Sequence, residues 1–254
     1  MILESFRLDG TVALVTGSSR GLGQSAAVAL AEAGADLALL NRSEAAQTAQ
    51  RITDLGRRVH HIELDLITAT PAQLDDAVQS VVDTLGRVDI LVNNAGIIRR
   101  APLLEHRAAD WDDVLAINLD AVFHLSRAAA TRFVGQGHGK IINVASMLSF
   151  QGGILVPGYT ASKHAVAGLT KALANEWGPS GVQVNAIAPG YISTDNTTDL
   201  RADPEREAAI RDRIPAGRWG RPEDVVGAAV FLASAASGYV NGHVLAVDGG
   251  WLAR

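Results

Sequence analysis

Three side chains in the second half of the chain have the chemistry needed to move a proton to or from an oxygen atom. Tyr159 and Lys163 are four residues apart, so they share one face if residues 159–177 form a helix. The unperturbed pKa of tyrosine is about 10, and a neighbouring ammonium favours the phenolate and should lower that pKa. Ser146, thirteen residues before the tyrosine, is suited to hold the oxygen of a carbonyl or alcohol. Together these residues predict carbonyl reduction or alcohol oxidation.

A glycine-rich turn follows a short apolar stretch at residues 11–16. It contains the sequence GLGQSA at positions 21–26, which matches the pattern G-x-G-x-x-G/A. The glycines of this pattern let the backbone approach a pyrophosphate, and the N-terminus of the following helix attracts negative charge. A glycine-rich turn without a ligand is the alternative, but the position between a strand and a helix favours dinucleotide binding. The cofactor contacts expected here are Gly17, Ser19, Arg20, Gly21, Leu22 and Gly23.

The choice between NAD and NADP depends on the residues that follow the second predicted strand. An acidic side chain there would bond the 2′-hydroxyl of NAD, whereas an arginine accommodates the 2′-phosphate of NADP. The chain has Asn41 and Arg42 at this point, and Arg20 in the glycine turn offers a second cation. The alternative is that Arg42 is a solvated surface residue. We therefore predict that NADP is the favoured cofactor, with NAD as the alternative.

Polar residues also follow the next two predicted strands. Asp65 is placed to accept a hydrogen bond from the adenine amine or to cap a turn. The amides of residues 93–96 either contact the cofactor or tie adjacent strand ends together. The cofactor contacts predicted at these two points are Asp65, Leu66, Asn94, Ala95 and Gly96. Further along, Asn118 is polar within an apolar helix, which predicts a satisfied core amide or a helix kink.

Apolar stretches of strand type alternate with stretches of helical periodicity along the chain. The predicted strands cover residues 11–16, 36–40, 59–64, 88–92, 141–144, 182–187 and 244–247. The predicted helices cover residues 24–33, a segment N-capped by Ser43, and residues 71–85, 111–133, 159–177 and 223–233. This alternation predicts an α/β fold: one Rossmann-type domain, residues 1–254, with a doubly wound parallel sheet of about seven strands and helices on both faces. Residues 193–218 form the most polar stretch and are predicted to be a mobile lid.

Composition excludes several classes of function. The 254 residues are 48% hydrophobic and 19% charged, which suits one large core, and the net charge of −5 argues against a nucleic-acid partner. Cysteine is absent, which excludes disulfides and thiolate metal sites, and the spacing of the 7 histidines predicts no metal site. No apolar run is long enough for a membrane helix, and residues 1–10 lack the apolar core of a signal peptide. We expect a soluble cytoplasmic protein.

The motifs occur in the order typical of the short-chain dehydrogenase/reductase family, which the chain resembles over nearly its whole length. The matching residues are Thr16, Gly17, Gly21, Gly23, Asn93 to Gly96, Asn118, Ser146, Tyr159, Lys163, Pro189 and Gly190. The resemblance implies that Tyr159 is the acid/base, that Ser146 anchors the substrate oxygen, and that Lys163 is a cation that also binds the ribose. It implies that Asn118 holds a water of a proton relay, and that the chain forms the family's usual homotetramer. The residues implied to cover the nicotinamide are Pro189, Gly190, Ile192 and Thr194.

A closer resemblance is to the 2-deoxy-D-gluconate 3-dehydrogenases, also called 2-dehydro-3-deoxy-D-gluconate 5-dehydrogenases. The residues that carry it are 1–3, 93–96, 98–100, 145–153, 214–220 and 247–254. The implied substrate is a small sugar acid of the deoxy-gluconate or gluconate type. Members of this group are generally associated with NAD, and Arg42 departs from that expectation. The related gluconate 5-dehydrogenases accept NADP.

Two arginines bear on whether the chain itself suits a sugar acid. Arg99 and Arg100 follow the fourth predicted strand, so one of them could bind a carboxylate at the rim of the pocket. The alternative is a solvated or intersubunit arginine pair. Polar groups that match hydroxyls are offered by Gln151, Tyr191 and Asn196. The predicted substrate contacts are Arg99, Arg100, Ser146, Gln151 and Tyr191.

Two other functions fit parts of the sequence. An acyl-carrier-protein ketoreductase would need a cationic docking patch beside the site, for which Arg99, Arg100 and Arg132 are candidates. A non-catalytic nucleotide-binding protein would keep the fold, but it would have no need of the intact set of Ser146, Tyr159 and Lys163.

Overall fold

The computed structural model describes residues 1–254 and contains one parallel sheet of seven strands. The strands are β1 (Val12–Thr16), β2 (Asp36–Asn41), β3 (Val59–Glu63), β4 (Ile90–Asn93), β5 (Gly139–Val144), β6 (Val182–Pro189) and β7 (Val244–Val247). Their order across the sheet is β3-β2-β1-β4-β5-β6-β7, so the direction of winding reverses between β1 and β4. In such sheets ligands bind at this switch point, outside the carboxyl ends of the strands. The predicted doubly wound sheet is confirmed.

Helices cover both faces of the sheet. They are α1 (Gly21–Glu32), α2 (Ala46–Asp54), α3 (Pro71–Leu85), α4 (Ala108–Leu115), α5 (Ala121–Gln136), α6 (Pro157–Trp177), α7 (Thr198–Ala202), α8 (Pro204–Arg213) and α9 (Glu223–Ala233). Val12 and Leu14 of β1 face a core shared with α3, α5 and α6. Ala13 and Val15 face a second core, shared with α1, α2 and α9. β1 is buried along its whole length because alternate residues serve the two layers.

Several predicted helix starts were wrong, including that of α4, which begins at Ala108 rather than at residue 111. α1 begins at Gly21 rather than at residue 24, because helix propensity undervalues the glycines of the turn. The N-cap of α2 is Ala45 rather than Ser43. The Ala45 amide donates a hydrogen bond to the His61 ring nitrogen at 3.2 Å, so a neighbouring strand satisfies this helix start and Ser43 stays exposed.

The helical region predicted at residues 111–133 is a helix pair with one irregular turn. α4 runs into a π-helical turn at Ala116–Asp120, and α5 continues from it. A π-turn interrupts the regular hydrogen-bond ladder of a helix and is frequent at functional sites. Asn118 lies in this turn, so the predicted kink at that residue is confirmed.

The polar stretch at residues 193–218 is largely helical. It contains a 3-10 turn (Asp195–Thr197) followed by α7 and α8. Asp203 caps α8, because its carboxylate accepts hydrogen bonds from the amides of Glu205 and Arg206 at 3.1 Å each. None of the helices in the structure combines the length and the apolar character that crossing a membrane requires.

Candidate active site

The end of β5 and the first turns of α6 bring the three predicted catalytic side chains together. Ser146 lies two residues beyond β5, and Tyr159 and Lys163 lie at the start of α6. The Lys163 ammonium donates a hydrogen bond to the Val144 carbonyl at 2.6 Å, and its Nζ lies 5.5 Å from the centre of the Tyr159 ring. Lys163 is buried and Tyr159 is half-buried. The lysine is thus anchored to the strand that leads into the serine.

Burial dominates the electrostatics of this pair. It raises the pKa of the Tyr159 phenol above its ordinary value, while a hydrogen bond with Ser146 and the charge of Arg100 act in the opposite direction. Burial also lowers the pKa of Lys163 to about 8. The prediction that Lys163 lowers the tyrosine pKa is therefore wrong for the chain alone. Both charged forms lose hydration, and the ammonium bonds a carbonyl instead of the phenol.

Two serines that the sequence reasoning missed hold this geometry in place. The Ser149 hydroxyl donates to the Lys163 carbonyl at 2.7 Å and accepts from the Ser146 amide at 3.3 Å. The Ser162 hydroxyl donates to the Tyr159 carbonyl at 2.8 Å. Both serines are buried. Their only signal in the sequence is a hydroxyl among residues that are otherwise expected to face the core.

Asn118 is fully buried in the π-helical turn, and its side chain is engaged by the backbone. Its side-chain oxygen accepts from the Ile97 amide at 2.9 Å. Its nitrogen donates to the Ile97 carbonyl at 3.0 Å and to the Ser162 hydroxyl at 3.2 Å. The predicted core amide is confirmed, and it connects the loop after β4 to the start of α6.

Asn94 ties the end of β4 to the glycine turn. Its side-chain nitrogen donates to the Thr16 carbonyl at 2.9 Å and to the Gly17 carbonyl at 3.0 Å. The backbone amides of Asn94 and Ala95 donate to the Thr16 hydroxyl at 3.0 and 2.9 Å. Of the two roles expected for these amides, the linking of strand ends accounts for both donors of the Asn94 side chain.

The glycine turn has the shape and the available donors that a dinucleotide phosphate needs. Gly17 and Gly21 have left-handed backbone, with φ of +64° and +57°, and a Cβ on Gly23 would stand 2.2 Å from the Gly17 carbonyl oxygen. Arg20, at the N-cap of α1, makes no side-chain cap, so the first amides of the helix are available to an anion. The residues present therefore fit a pyrophosphate.

A narrow cavity runs from this turn along the carboxyl ends of β4, β5 and β6. Its lining includes Leu22, Asn94, Val144, Ile187 and Pro189. Beyond it, Ile192 is buried, and the Thr194 methyl lies 3.7 Å from where a Cβ of Gly21 would stand. Gly190 packs on the Asp248 backbone, and a Cβ there would stand 2.6 Å from the Asp248 Cα. Pro189 lines this cavity and Thr194 lies beside Gly21, whereas Gly190 and Ile192 line a second cavity together with Tyr191 and Asp248.

Two exposed guanidiniums flank the glycine turn. Arg42 directly follows β2, is exposed and makes no salt bridge. Arg20 is 76% exposed and forms a salt bridge with Asp195 at 2.8 Å. Asn41 is buried, and its side-chain nitrogen donates to the Ser18 hydroxyl at 3.0 Å. Asn41 therefore shapes the turn, whereas Arg42 remains available to a ligand.

The loop after β3 shows one of the two roles that the sequence left open for Asp65, the capping of a turn. The Asp65 carboxylate accepts a hydrogen bond from the Ile67 amide at 3.0 Å, which caps the turn. Leu66, which lies between Asp65 and Ile67 in the chain, is buried in the core. The turn thus presents Asp65 at the same edge of the sheet as the glycine turn.

The neighbouring arginines after β4 have different surroundings. Arg99 pairs with Asp110 at 3.6 Å and with Asp113 at 3.3 Å, both on α4. Arg100 donates to the Asn196 carbonyl at 3.0 Å, and its charge partly offsets the rise that burial causes in the pKa of Tyr159. Arg100 thus acts on the Tyr159 phenol, whereas Arg99 is held by two carboxylates of α4.

The other predicted contacts are divided between the site and the surface. Tyr191 is half-buried between the rings of Trp219 and Trp251, two residues that the sequence reasoning did not connect with the site. Gln151 is half-buried in the turn that follows Ser149. Of the arginines considered for a carrier-protein docking patch, Arg99 is paired with α4 and Arg132 donates to Gln79 on α3.

Comparison with known proteins places the chain in a class. Residues 17–252 match the family model described as Enoyl-(Acyl carrier protein) reductase. The chain is 57% identical to the 2-dehydro-3-deoxy-D-gluconate 5-dehydrogenase of Escherichia coli (strain K12), with 100% of both chains covered. It is 54% identical to the enzyme of that name from Bacillus subtilis (strain 168), with 99% of this chain and 98% of the relative covered.

A solved structure shows the same similarity in three dimensions. The crystal structure of a gluconate 5-dehydrogenase from Burkholderia cenocepacia J2315, in complex with NADP and tartrate, is 43% identical to this chain. The TM-score is 0.95, with 100% of both chains covered. The chain belongs to the short-chain dehydrogenase/reductase family. It is an NAD(P)-dependent oxidoreductase that acts on CH–OH groups.

Proposed function

We propose that this protein is an NADP-dependent dehydrogenase of a small sugar acid, of the deoxy-gluconate or gluconate type. Hydride passes between a secondary alcohol or ketone carbon of the substrate and the nicotinamide. The observation that carries the proposal is the contact of Arg100, an exposed guanidinium that bonds only to the carbonyl of Asn196 and whose charge partly offsets the raised pKa of Tyr159. A sugar acid differs from a simple alcohol in its carboxylate, and a guanidinium binds a carboxylate with two parallel hydrogen bonds.

The relatives support this substrate class. Two curated relatives above 50% identity are 2-dehydro-3-deoxy-D-gluconate 5-dehydrogenases. The Burkholderia gluconate 5-dehydrogenase was crystallised with NADP and tartrate, which is itself a small hydroxy acid. For the rival acyl-carrier function, Arg99 is already paired with carboxylates of α4, and Arg132 is hydrogen-bonded to Gln79.

The side chains divide the proton chemistry among them. Tyr159 takes the hydroxyl proton when the alcohol is oxidised and returns it when the ketone is reduced, while Ser146 holds the same oxygen. Because burial raises the tyrosine pKa, the phenol is protonated at neutral pH and ready to donate in the reduction, whereas the oxidation requires that the phenol first lose its proton. Lys163, with a pKa of about 8, is largely an ammonium at neutral pH and can accept a proton only as its neutral fraction grows towards pH 8 and above. Bound NADP supplies the hydride acceptor or donor.

NADP is proposed over NAD because of the charges around the glycine turn. Arg42 is exposed and unpaired at the end of β2, and Arg20 lies on the turn itself. Asn41, between them in the fold, is neutral and bonded to Ser18. A 2′-phosphate here would meet two cations, and the carboxylate that usually selects the ribose hydroxyl of NAD is replaced by Asn41.

We further propose that the protein is a cytoplasmic homotetramer and that residues 193–218 close over the site as a lid. Exposed aromatic residues on the α4–α5 pair, Trp111 at 38% and Phe123 at 40%, support an assembly in which another copy covers them. The Arg100 contact to Asn196 supports the lid, because it joins the site to that segment. Light scattering should give the mass of four chains; a monomer would contradict the assembly.

The test of function compares Arg100 with its neighbour. We expect the wild type to oxidise at least one sugar acid, or reduce its keto form, faster with NADP(H) than with NAD(H). Arg100→Ala should raise KM for that sugar acid about tenfold or more, the loss typical of a charge-assisted hydrogen bond. Arg99→Ala, the matched control, should change KM less than about threefold, since its partners are surface carboxylates. Turnover of acyl thioesters without turnover of any sugar acid would refute the proposal.

A further inference from the structure

One side chain of residues 248–254, here called the tail, contacts the substrate side of the site and the proposed lid together. Trp251 is buried, with 5% of its surface exposed. Its ring lies 4.7 Å from the Tyr191 ring, centre to centre, at an angle of 63°. The guanidinium of Arg213, the last residue of α8, lies 4.0 Å from the centre of the indole. Trp251 thus connects the end of β6 to the end of α8.

Tyr191 lies just beyond the carboxyl end of the sheet, after the strand next to the one that leads into the catalytic serine. It follows β6, whose neighbour β5 leads into Ser146. Trp219 packs against it edge to face, with ring centres 5.3 Å apart. Burial raises the pKa of the Tyr191 phenol, and the charges of Arg206 and Arg213 on α8 act in the opposite direction. The Tyr191 hydroxyl therefore lies within the electrostatic field of the arginines on α8, a helix of the proposed lid.

The same cluster brings α8 next to the catalytic serine. Met147, Ile210, Ile214 and Trp251 form one buried group. Met147 directly follows Ser146, and Ile210 is on α8. A shift of the indole would therefore be transmitted both to α8 and to the residue beside Ser146.

Backbone contacts fix the tail to the end of the lid. The Gly249 carbonyl accepts a hydrogen bond from the Ala216 amide at 3.0 Å. Arg254 donates to the Asp212 carbonyl at 3.2 Å. The Asp248 carboxylate accepts two amides of the tail's own turn at 2.8 and 2.9 Å. The tail is held on both sides of Trp251, so the indole has little freedom.

Stability alone does not account for an indole at this position. The Trp251 Nε1–H is buried and has no hydrogen-bond partner. An unpaired buried donor is destabilising, and an apolar ring would fill the same space without that cost. What the indole adds over another apolar ring is its broad face, which gives the strongest contact with a guanidinium.

We infer that Trp251 is a positioning residue for the substrate pocket: it sets the Tyr191 ring against the pocket and holds α8 beside it. The inference rests on the proposed function where it takes the substrate to be a sugar acid. It predicts an effect on the substrate and none on the cofactor, because the contacts of Trp251 lie with Tyr191, Arg213 and Met147 and not with the glycine turn.

The test uses Trp251→Phe, which keeps an aromatic ring but weakens the contact with Arg213. We expect KM for the sugar acid to rise about three- to tenfold, with KM for NADP and the thermal midpoint close to wild type. Trp177→Phe is the matched control: it changes a tryptophan at the end of α6 that packs on the core instead of the site. Its two KM values should both stay near wild type. A sugar-acid KM within about twofold of wild type in Trp251→Phe would overturn the inference.

A second readout does not depend on turnover. Hydrogen exchange of Trp251→Phe without ligands should be faster than in the wild type at Tyr191 and along residues 204–213, and unchanged along residues 169–177. Unchanged exchange in the first two segments would also overturn the inference. If the wild type oxidises no sugar acid, the proposed function fails while the exchange data still decide the role of Trp251.

Discussion

The polar residues around the cofactor groove fall into two groups, a buried set of amides, half-buried at Asn94 and fully buried at Asn118, and an exposed set of guanidiniums. Asn94 and Asn118 use their side-chain donors and acceptors on neighbouring backbone. Arg42 has no ion-pair partner, whereas Arg20 and Arg100 contact only the first turn of the proposed lid. The buried set defines the shape of the groove, and the exposed set retains the charge to bind what enters it.

The difference follows from the cost of burial. A buried amide left unpaired is destabilising by about 1–3 kcal/mol, so the interior set must be satisfied before any ligand arrives. An exposed guanidinium stays hydrated, so leaving it without a protein partner costs little free energy of folding. Changes to the interior should therefore affect turnover or stability, whereas changes at the rim should affect ligand affinity and leave the fold intact.

The largest effect is expected from the phenol. Tyr159→Phe removes the group that exchanges a proton with the substrate oxygen and leaves the ring in place. We expect kcat to fall about 10²- to 10⁴-fold. NADPH should still bind, as followed by the change in its fluorescence. Turnover near that of the wild type would show that another group carries the proton.

The second effect is on stability and comes from the buried lysine. Burial lowers the Lys163 pKa to about 8 from 10.5, so between these pH values the unfolded chain binds more protons than the folded one. Unfolding free energy should therefore rise with pH through this window, by up to about 3 kcal/mol from this group. Below about pH 8 the buried ammonium is a constant destabilising contribution.

Lys163→Met tests this by removing the charge. At about pH 7 the variant should be more stable than the wild type, and the gap should close as pH rises towards about 10. Urea unfolding at a series of pH values measures it. Lys171→Met, on an exposed face of the same helix, is the control and should show no such trend. A gap that widens with pH would contradict the assignment.

The same contrast between interior and rim residues explains which features could be predicted from the sequence and which could not. The doubly wound sheet, α3, α9 and β7 follow from apolar periodicity and were predicted correctly. The meeting of Ser146 with Tyr159 followed from their places at a strand end and a helix start. What periodicity cannot give is the direction of a long side chain, so Arg99 and Arg100 were indistinguishable until their partners were known.

Long-range partners account for the remaining errors. The pKa of Tyr159 depends on burial by segments far apart in the chain, which no local pattern reports. The packing of Trp251 on Tyr191 joins residues sixty positions apart, and neither carries a motif for it. Likewise the start of α2 is satisfied by His61 on β3 and not by the local cap that the sequence offered.

At the rim, Arg42→Ala should weaken NADPH binding about tenfold or more and leave NADH binding within about twofold, since a charge-assisted hydrogen bond contributes about 1.5–3 kcal/mol. Titration of both cofactors against the variant measures it. Arg51→Ala, an exposed arginine on α2, serves as the control for loss of a surface charge. Equal losses for the two cofactors would mean that Arg42 does not read the phosphate.

The smallest effect is expected where the rim contacts the lid. The Arg20–Asp195 salt bridge joins the glycine turn to the lid, and both side chains are more than two-thirds exposed, at 76% and 68%. Such pairs contribute about 0–1 kcal/mol. Asp195→Asn releases Arg20 and removes a negative charge beside the phosphate groove, so KM for NADPH should fall, by no more than about fivefold.

The effect of Asp195→Asn should fade at high ionic strength, because salt screens exposed charges. Asp199→Asn, an exposed carboxylate on α7 without an ion pair, is the control and should leave KM for NADPH unchanged. A rise in that KM on Asp195→Asn would mean that the carboxylate helps to bind the cofactor. The exposed cations would then depend on the lid for their position, and the contrast between a satisfied interior and an unsatisfied rim would hold for Arg42 alone.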